Sequence, residues 1–146
     1  MSNAHILIVE ARFYGDLADE LAAGAIDAIE AAGATWERIE VPGALEIPAA
    51  IKFAHVGKKV RFHGYVALGC VIRGETTHYD YVCGESARGL QDLALDHNLA
   101  IGNGVLTVED WDQAWARSKR SEKNKGGGAA EAALAMAGLK EKFGAN

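Results

Sequence analysis

Cysteine is scarce in this 146-residue chain, and no apolar run is long enough to cross a bilayer. A membrane-spanning helix takes about 20 consecutive apolar residues. The first apolar run, Ile6 to Val9, is short and leads directly into charge, so it does not read as the core of a signal peptide. The two cysteines, Cys70 and Cys83, lack the spacing of metal ligands and read as reduced interior residues. Together these features lead to the expectation of a cytoplasmic protein. Cationic excess is missing as well. Fifteen Lys and Arg stand against 20 Asp and Glu, a net charge of -5, whereas a nucleic-acid surface needs positive charge gathered on one face. No internal repeat or low-complexity tract is present, and the polar run Ser118 to Lys125 is too short for a linker. The expectation is one domain over residues 1–146, large enough to bury a core without disulfides or metal.

The most informative stretch runs from Val66 to Leu90. Val66-Ala67-Leu68-Gly69-Cys70-Val71-Ile72 is unbroken, apolar and rich in β-branched residues, the pattern of a strand buried on both faces of a parallel sheet. Arg73-Gly74-Glu75-Thr76-Thr77-His78 then leads into helical periodicity that runs from about Thr77 to His97. Gly74 suits a tight turn, the threonines can cap a helix, and an open helix start attracts anions. His78 is the side chain of this loop that ordinarily titrates near neutrality. The loop therefore reads either as a phosphate nest with an acid/base beside it or as a plain capped helix start carrying a surface histidine.

The rest of the chain alternates strand and helix. His5 to Val9 is a strand, after which Asp16 as N-cap and Asp19 at N3 open an alanine-rich helix that stops at Gly33. Thr35 to Val41 alternates imperfectly and suits an edge strand. Pro48 sits comfortably in the first turn of a helix running to about His55, before Gly57 and the basic turn Lys58-Lys59. Leu99 to Thr107 is the fourth strand, in which Gly102 and Gly104 flank Asn103 and suggest close backbone approach by a neighbour or ligand. Thr107 with Asp110 looks like a capping box for a short helix carrying Trp111 and Trp115 on one face, placed either in the core or at an interface. After Gly126-Gly127-Gly128, a last helix spans Ala129 to about Phe143.

Alternation of this kind predicts a three-layer α/β/α fold around a four-stranded parallel sheet, in the order 2-1-3-4. Open sheets bind ligands outside the carboxyl ends of their strands, where the strand order reverses. That crevice would be lined by Phe13 and by Gly74 to His78. Phe13 is open to two readings, a core aromatic or a ring for stacking on a planar ligand. Arg117 and Lys125 lie in a charged segment that would ordinarily be solvated surface, and Glu46 can be explained by helix-dipole complementation alone.

Four stretches taken together resemble the lumazine synthase family: Val41-Pro42-Gly43-Ala44-Leu45-Glu46-Ile47-Pro48, Val71 through Val82 with Gly74-Glu75-Thr76-Thr77-His78 at its centre, Gly104-Val105-Leu106-Thr107, and Asn124-Lys125-Gly126. The resemblance implies a flavodoxin-like fold and a condensation that needs neither cofactor nor metal. In it, 5-amino-6-(D-ribitylamino)uracil and 3,4-dihydroxy-2-butanone 4-phosphate give 6,7-dimethyl-8-ribityllumazine, phosphate and water, the penultimate step of riboflavin biosynthesis. By the family pattern His78 is the acid/base, Glu75 and Thr76 hold the phosphate, and Arg117 neutralises it. Phe13 stacks on the pyrimidine, Cys70, Val71 and Ile72 line it, Ala44, Leu45 and Glu46 contact the ribityl chain, and Lys125 lies near the ring. The resemblance further implies a homopentamer with sites between subunits, to which Asn103 and Arg117 of a neighbour contribute.

Three departures from the family pattern stand out. Leu45 replaces a larger aromatic, Asn103 replaces phenylalanine, and Ser118 to Lys123 replaces a small-residue segment. That last change, with the few residues ahead of the first strand, leads to the expectation of a free pentamer rather than a sixty-subunit shell. A non-catalytic flavin- or lumazine-binding or structural protein is the contrasting expectation. Retention of His78 and Arg117 argues against it, because storage needs no acid/base. A receiver domain would need aspartate where Val71-Ile72-Arg73 stands, and a flavodoxin would need a Ser/Thr-rich loop where Arg12-Phe13-Tyr14 stands.

Overall fold

The computed structural model describes residues 3–145. Met1 and Ser2, which open the short segment ahead of the first strand, and Asn146 lie outside the described residues. Strands β1 (His5–Ala11), β2 (Thr35–Val41), β3 (Gly64–Ile72) and β4 (Ile101–Val108) form one sheet in the order β2-β1-β3-β4. All the pairings are parallel. Helices α1 (Gly15–Ala31), α4 (Trp111–Ser118) and α5 (Lys125–Phe143) cover one face, around Ile6, Ile8, Val66, Leu68 and Leu106. Helices α2 (Ile47–Gly57) and α3 (His78–His97) cover the other, around Leu7, Val9, Tyr65 and Ala67. This is the expected three-layer arrangement. β1 and β3 are mostly apolar because both of their faces are covered, with Glu10 the buried charge of β1, whereas β2 lies at the edge and keeps Glu37, Arg38 and Glu40 in solvent.

Several boundaries differ from the sequence expectations, each for a local reason. β1 continues past Val9 because Glu10 and Ala11 pair in register with Glu40 and Val41, and the Glu10 charge is neutralised by arginines. Asp16 is not the cap of α1. That helix starts at Gly15 after an extended Tyr14 with no side-chain cap, and Asp19 is turned to Arg12 instead. α2 is preceded by a 3-10 turn at Ala44–Glu46, with Pro48 in its first turn as expected. It ends on Gly57, and Lys58 rather than that glycine takes the left-handed conformation, at φ 55°. β3 begins at Gly64 and β4 is shifted to Ile101–Val108.

The capping box of α4 is Asp110 with Gln113, not Thr107 with Asp110. Asp110 Oδ1 accepts from Gln113 N–H at 2.9 Å, the Gln113 amide oxygen accepts from Glu109 N–H at 2.8 Å, and Thr107 is still in β4.

Glycine placement decides how closely the α1/α4/α5 layer approaches the sheet. A Cβ on Gly102 would sit 1.8 Å from the carbonyl oxygen of Ala129, and one on Gly104 would sit 2.7 Å from Leu68 Cδ2. The close approach expected around Asn103 is therefore α5 lying on β4. Gly126 meets α1 in the same way, since its Cβ would be 2.1 Å from the Leu21 carbonyl oxygen. For this reason Gly126-Gly127-Gly128 is not a loop before a helix at Ala129. It forms the first turn of α5, which Asn124 caps by accepting from Gly127 N–H at 3.3 Å. Overpacking of a tight contact costs about 1–3 kcal/mol. Gly102→Ala is accordingly expected to lower the free energy of unfolding by about 1–3 kcal/mol, seen in equilibrium unfolding as a lower urea midpoint at an unchanged m-value.

Candidate active site

In a parallel sheet all strand ends of one kind share an edge, so the loops after β1, β2 and β3 meet at the carboxyl edge. They bring Phe13, Ala44 to Glu46, Cys70 to Ile72 and Glu75 to His78 to that edge. The strands end at different heights. β1 pairs with β3 only as far as Glu10 with Leu68, whereas β4 accompanies β3 to Ile72 with Val108. Cys70, Val71 and Ile72 therefore have a backbone neighbour on one side only, and they emerge from burial while Gly64 to Gly69 stay buried. A flat ligand seated there meets main-chain donors and acceptors that no strand uses, at the point where the strand order reverses.

Phe13 is 78% exposed at the end of β1, which removes the core reading for it. Its ring stands edge-on to Tyr14 at 4.9 Å, and Tyr14 stands edge-on to Trp111 at 5.8 Å. Trp111 stacks in turn on Trp115 at 6.5 Å. The two tryptophans therefore divide their roles: Trp115 packs against the core, and Trp111 is exposed and props the Phe13 loop through Tyr14.

The Gly74 to His78 loop differs from the expected nest. It contains no positive φ, and a Cβ on Gly74 would meet nothing within 4 Å, so the turn does not require glycine there. Capping is partial: Thr76 Oγ1 accepts from His78 N–H at 3.3 Å, while Thr77 is the N-cap residue without a side-chain bond. Among the described residues the N–H groups of Glu75, Thr76 and Thr77 have no hydrogen-bond partner, which leaves them for solvent or an anion. Arg73 holds the loop in place. Its N–H donates to Val108 O at 2.9 Å, its Nε to Glu109 at 2.7 Å, and its guanidinium lies 4.3 Å from the Tyr79 ring centroid.

Both cysteines are free thiols, and each is only partly buried rather than in the deep interior. Burial pushes the Cys70 thiol up to about 11, so it is a neutral lining group and not a nucleophile.

Asn103 is not on this edge within one chain. Asn103 pairs in register with Ala67 in mid-strand, and its Oδ1 accepts from Val105 N–H at 2.9 Å. Lys125 is the first residue of α5, next to the Gly126 that packs on Leu21 of α1. Arg117, on α4, donates to Gln113 O at 3.1 Å and forms no ion pair among the described residues. No group of three His, Cys, Asp or Glu side chains suited to a metal ion exists among the described residues.

The 6,7-dimethyl-8-ribityllumazine synthase family matches residues 3–141 of the chain. The chain belongs to that family. It is 60% identical to the 6,7-dimethyl-8-ribityllumazine synthase of Bartonella bacilliformis, across 99% of this chain and 95% of that one. Identity is again 60% with the Agrobacterium fabrum protein of the same name, across 99% of both chains. With 6,7-dimethyl-8-ribityllumazine synthase 1 of Rhizobium meliloti it is 59%, across 97% of this chain and 94% of that one.

Sequence inspection passed over one feature of this edge. Glu10 is a 3% exposed carboxylate at the end of β1. It accepts from Arg12 at 2.8 Å and from both Nε and Nη2 of Arg38, at 2.7 and 2.9 Å. Arg12 also pairs with Asp19 of α1, so the network ties β2, β1 and α1 together directly below Phe13. A charge inside the otherwise apolar run Ile6 to Ala11 was the available signal. Breaking a buried ion pair from one side leaves uncompensated charge and costs about 3–5 kcal/mol. Replacing both Arg12 and Arg38 by Met, which leaves the buried Glu10 carboxylate uncompensated, is expected to lose about 3 kcal/mol in urea unfolding, and Glu10→Gln in the same protein should restore part of it.

Proposed function

We propose that this chain catalyses the condensation of 5-amino-6-(D-ribitylamino)uracil with 3,4-dihydroxy-2-butanone 4-phosphate to 6,7-dimethyl-8-ribityllumazine, phosphate and water, the penultimate step of riboflavin biosynthesis. Family membership supports the reaction, and the one-sided end of β3 is the observation that supports its location. The whole chain, residues 1–146, acts as one domain. In this reading Cys70, Val71 and Ile72 offer main-chain groups to the pyrimidine edge while Phe13 covers its face. Ala44, Leu45 and Glu46, on the turn after β2, meet the ribityl hydroxyls.

The phosphate of the second substrate lies at the start of α3, on the N–H groups around Glu75 and Thr76. The Glu75 carboxylate faces solvent. Condensation begins when the amine attacks the ketone and water leaves to form an imine. Loss of a proton then expels phosphate and leaves an enol that tautomerises to a carbonyl, and the second amine adds to that carbonyl with loss of a second water to close the ring. Every step moves a proton, and His78, beside the phosphate loop, is placed to carry it. Arg117 balances the charge of the departing phosphate, a task that suits a guanidinium without a carboxylate partner of its own.

In this reading the working form is a homopentamer in which Asn103 and Arg117 of a neighbour complete each edge, and Lys125 lies near the pyrimidine. The α2/α3 layer supplies apolar surface for such an interface. Phe53, Val56, Tyr81 and Leu95 are 73, 61, 70 and 76% exposed there. The free thiols of Cys70 and Cys83 accord with action in the cytoplasm.

Mixing the purified protein with both substrates and following lumazine fluorescence tests the reaction, and no product would refute it in favour of a binding role. His78→Ala is expected to slow turnover by about 10²-fold or more at unchanged thermal stability. A shared site makes a sharper demand. Rings of His78→Ala and rings of Arg117→Ala should each be slow, while mixed rings refolded from both should recover part of the activity, because some edges then carry both native residues. Sedimentation should give a mass near five subunits. Mixed rings no faster than their parents would remove Arg117 from the neighbour's site.

A further inference from the structure

A cavity of about 500 Å³ opens at the amino end of the sheet, where β3 and β4 begin. Tyr65 at this end and Ile72 at the catalytic edge are seven residues apart on β3, or about 23 Å at 3.3 Å per residue. The two places are therefore separate. Phe62, Tyr65 and Leu99 give the cavity apolar walls, and the Phe62 and Tyr65 rings lie 5.9 Å apart. A volume of this size is ordinary for a small-molecule site.

The ionised side chains of the lining, Lys58, Arg61 and Lys140, are all cationic, and His55 and His63 complete its polar part. Lys58 comes from the end of α2, Arg61 and His63 from the approach to β3, and Lys140 from the last turn of α5. Among the described residues, Lys58, Arg61 and Lys140 make no ion pair, although Arg12, Arg38, Arg73, Arg88 and Arg120 all do. Lys140 is half-buried, and burial, with Arg61 nearby, lowers its pKa. Burial also lowers the pKa of His55 and of His63. His97, Lys140, Lys58 and Lys52 add to the effect on His55, and Arg61 and His5 to that on His63, which Glu141 at the exposed end of α5 opposes. His63 Nδ1 accepts from His5 N–H at 2.9 Å, which leaves its other nitrogen as a donor. Three cations that share a cavity without an ion-pair partner, one of them half-buried, are relieved when an anion joins them.

We propose that this cavity binds a phosphomonoester carrying a flat apolar group, with the phosphate among Lys58, Arg61 and Lys140 and the apolar group against Phe62, Tyr65 and Leu99. This proposal is independent of the catalytic reading, since none of these residues belongs to the carboxyl edge.

Calorimetric titration of the intact oligomer with phenyl phosphate tests it. The Arg117→Ala protein is used so that the proposed catalytic phosphate contact does not contribute. One phenyl phosphate per chain is expected, and adding Arg61→Gln with Lys140→Gln should weaken its binding at least tenfold. Inorganic phosphate should bind the same protein several-fold less tightly than phenyl phosphate. With Arg117 intact, the Arg61→Gln, Lys140→Gln protein should keep its turnover. It should also melt no lower than the unsubstituted protein, because it no longer holds those charges together. If the double replacement fails to fold, Lys58→Gln at the exposed rim should still weaken binding about threefold. Undiminished affinity in the charge-removed proteins, or no binding to Arg117→Ala, overturns the site. The second result includes a cavity already filled by another copy of the chain. Equal affinity for inorganic phosphate overturns the role of the apolar wall.

Discussion

Beyond Leu68, β3 has a neighbour on one side only, and much of the carboxyl edge depends on that mismatch in strand length. A central parallel strand ordinarily spends its main-chain groups on both neighbours. Here β1 turns away into its loop four residues below the end of β3, which lowers one wall of a crevice and leaves the other standing. The same turn carries Phe13 outward, and β2, ending level with β1 at Val41, sends Pro42 to Glu46 to the same side. The crevice thus arises from the chain reversing direction between β1 and β3 rather than from any dedicated pocket-forming segment.

Keeping that edge in place is the work of charge and of small residues. Glu10 is buried at the top of β1, where a lone carboxylate would be costly, and its arginine partners come from the loop above and from the edge strand alongside. Behind the sheet, Gly102, Gly104 and Gly126 let α5 lie against β4 and α1 at distances that a methyl group would forbid. Arg120 adds an outer clamp, bonded to Glu20 at 3.3 Å and Asp27 at 3.1 Å on α1. The segment Ser118 to Lys123, read from its composition as solvated surface, is in part a fastener within the α1/α4/α5 layer.

Charge is distributed unevenly between the two ends of the sheet. At the carboxyl edge arginines are matched by carboxylates, with Arg117 left over. At the amino end lysines, arginine and histidines gather around apolar walls with Glu141 on the exposed rim. A net charge of -5 conceals this local cationic concentration. Composition excludes a broad basic face but says nothing about a small pocket, because a pocket depends on which few residues meet.

The sequence by itself determined the element order, the parallel sheet, the edge position of β2 and the family, through signals that are local or contiguous: an apolar run buried on both faces, alternation of strand with helix, and a motif around His78. Helix ends were less legible, since Asp16, Thr107 and the glycines before Ala129 each offer plausible punctuation that a long-range contact overrides. Asp19 turns to Arg12, Gln113 closes on Asp110, and α1 needs Gly126 inside a helix rather than before one. Only the tertiary structure decided the buried Glu10 network, the height difference between β1 and β3, the placement of Asn103 away from the edge, and the cationic cavity. Each of these brings together residues far apart in the chain, such as Glu10 with Arg38 or Lys58 with Lys140, and no local pattern encodes which distant side chains will meet.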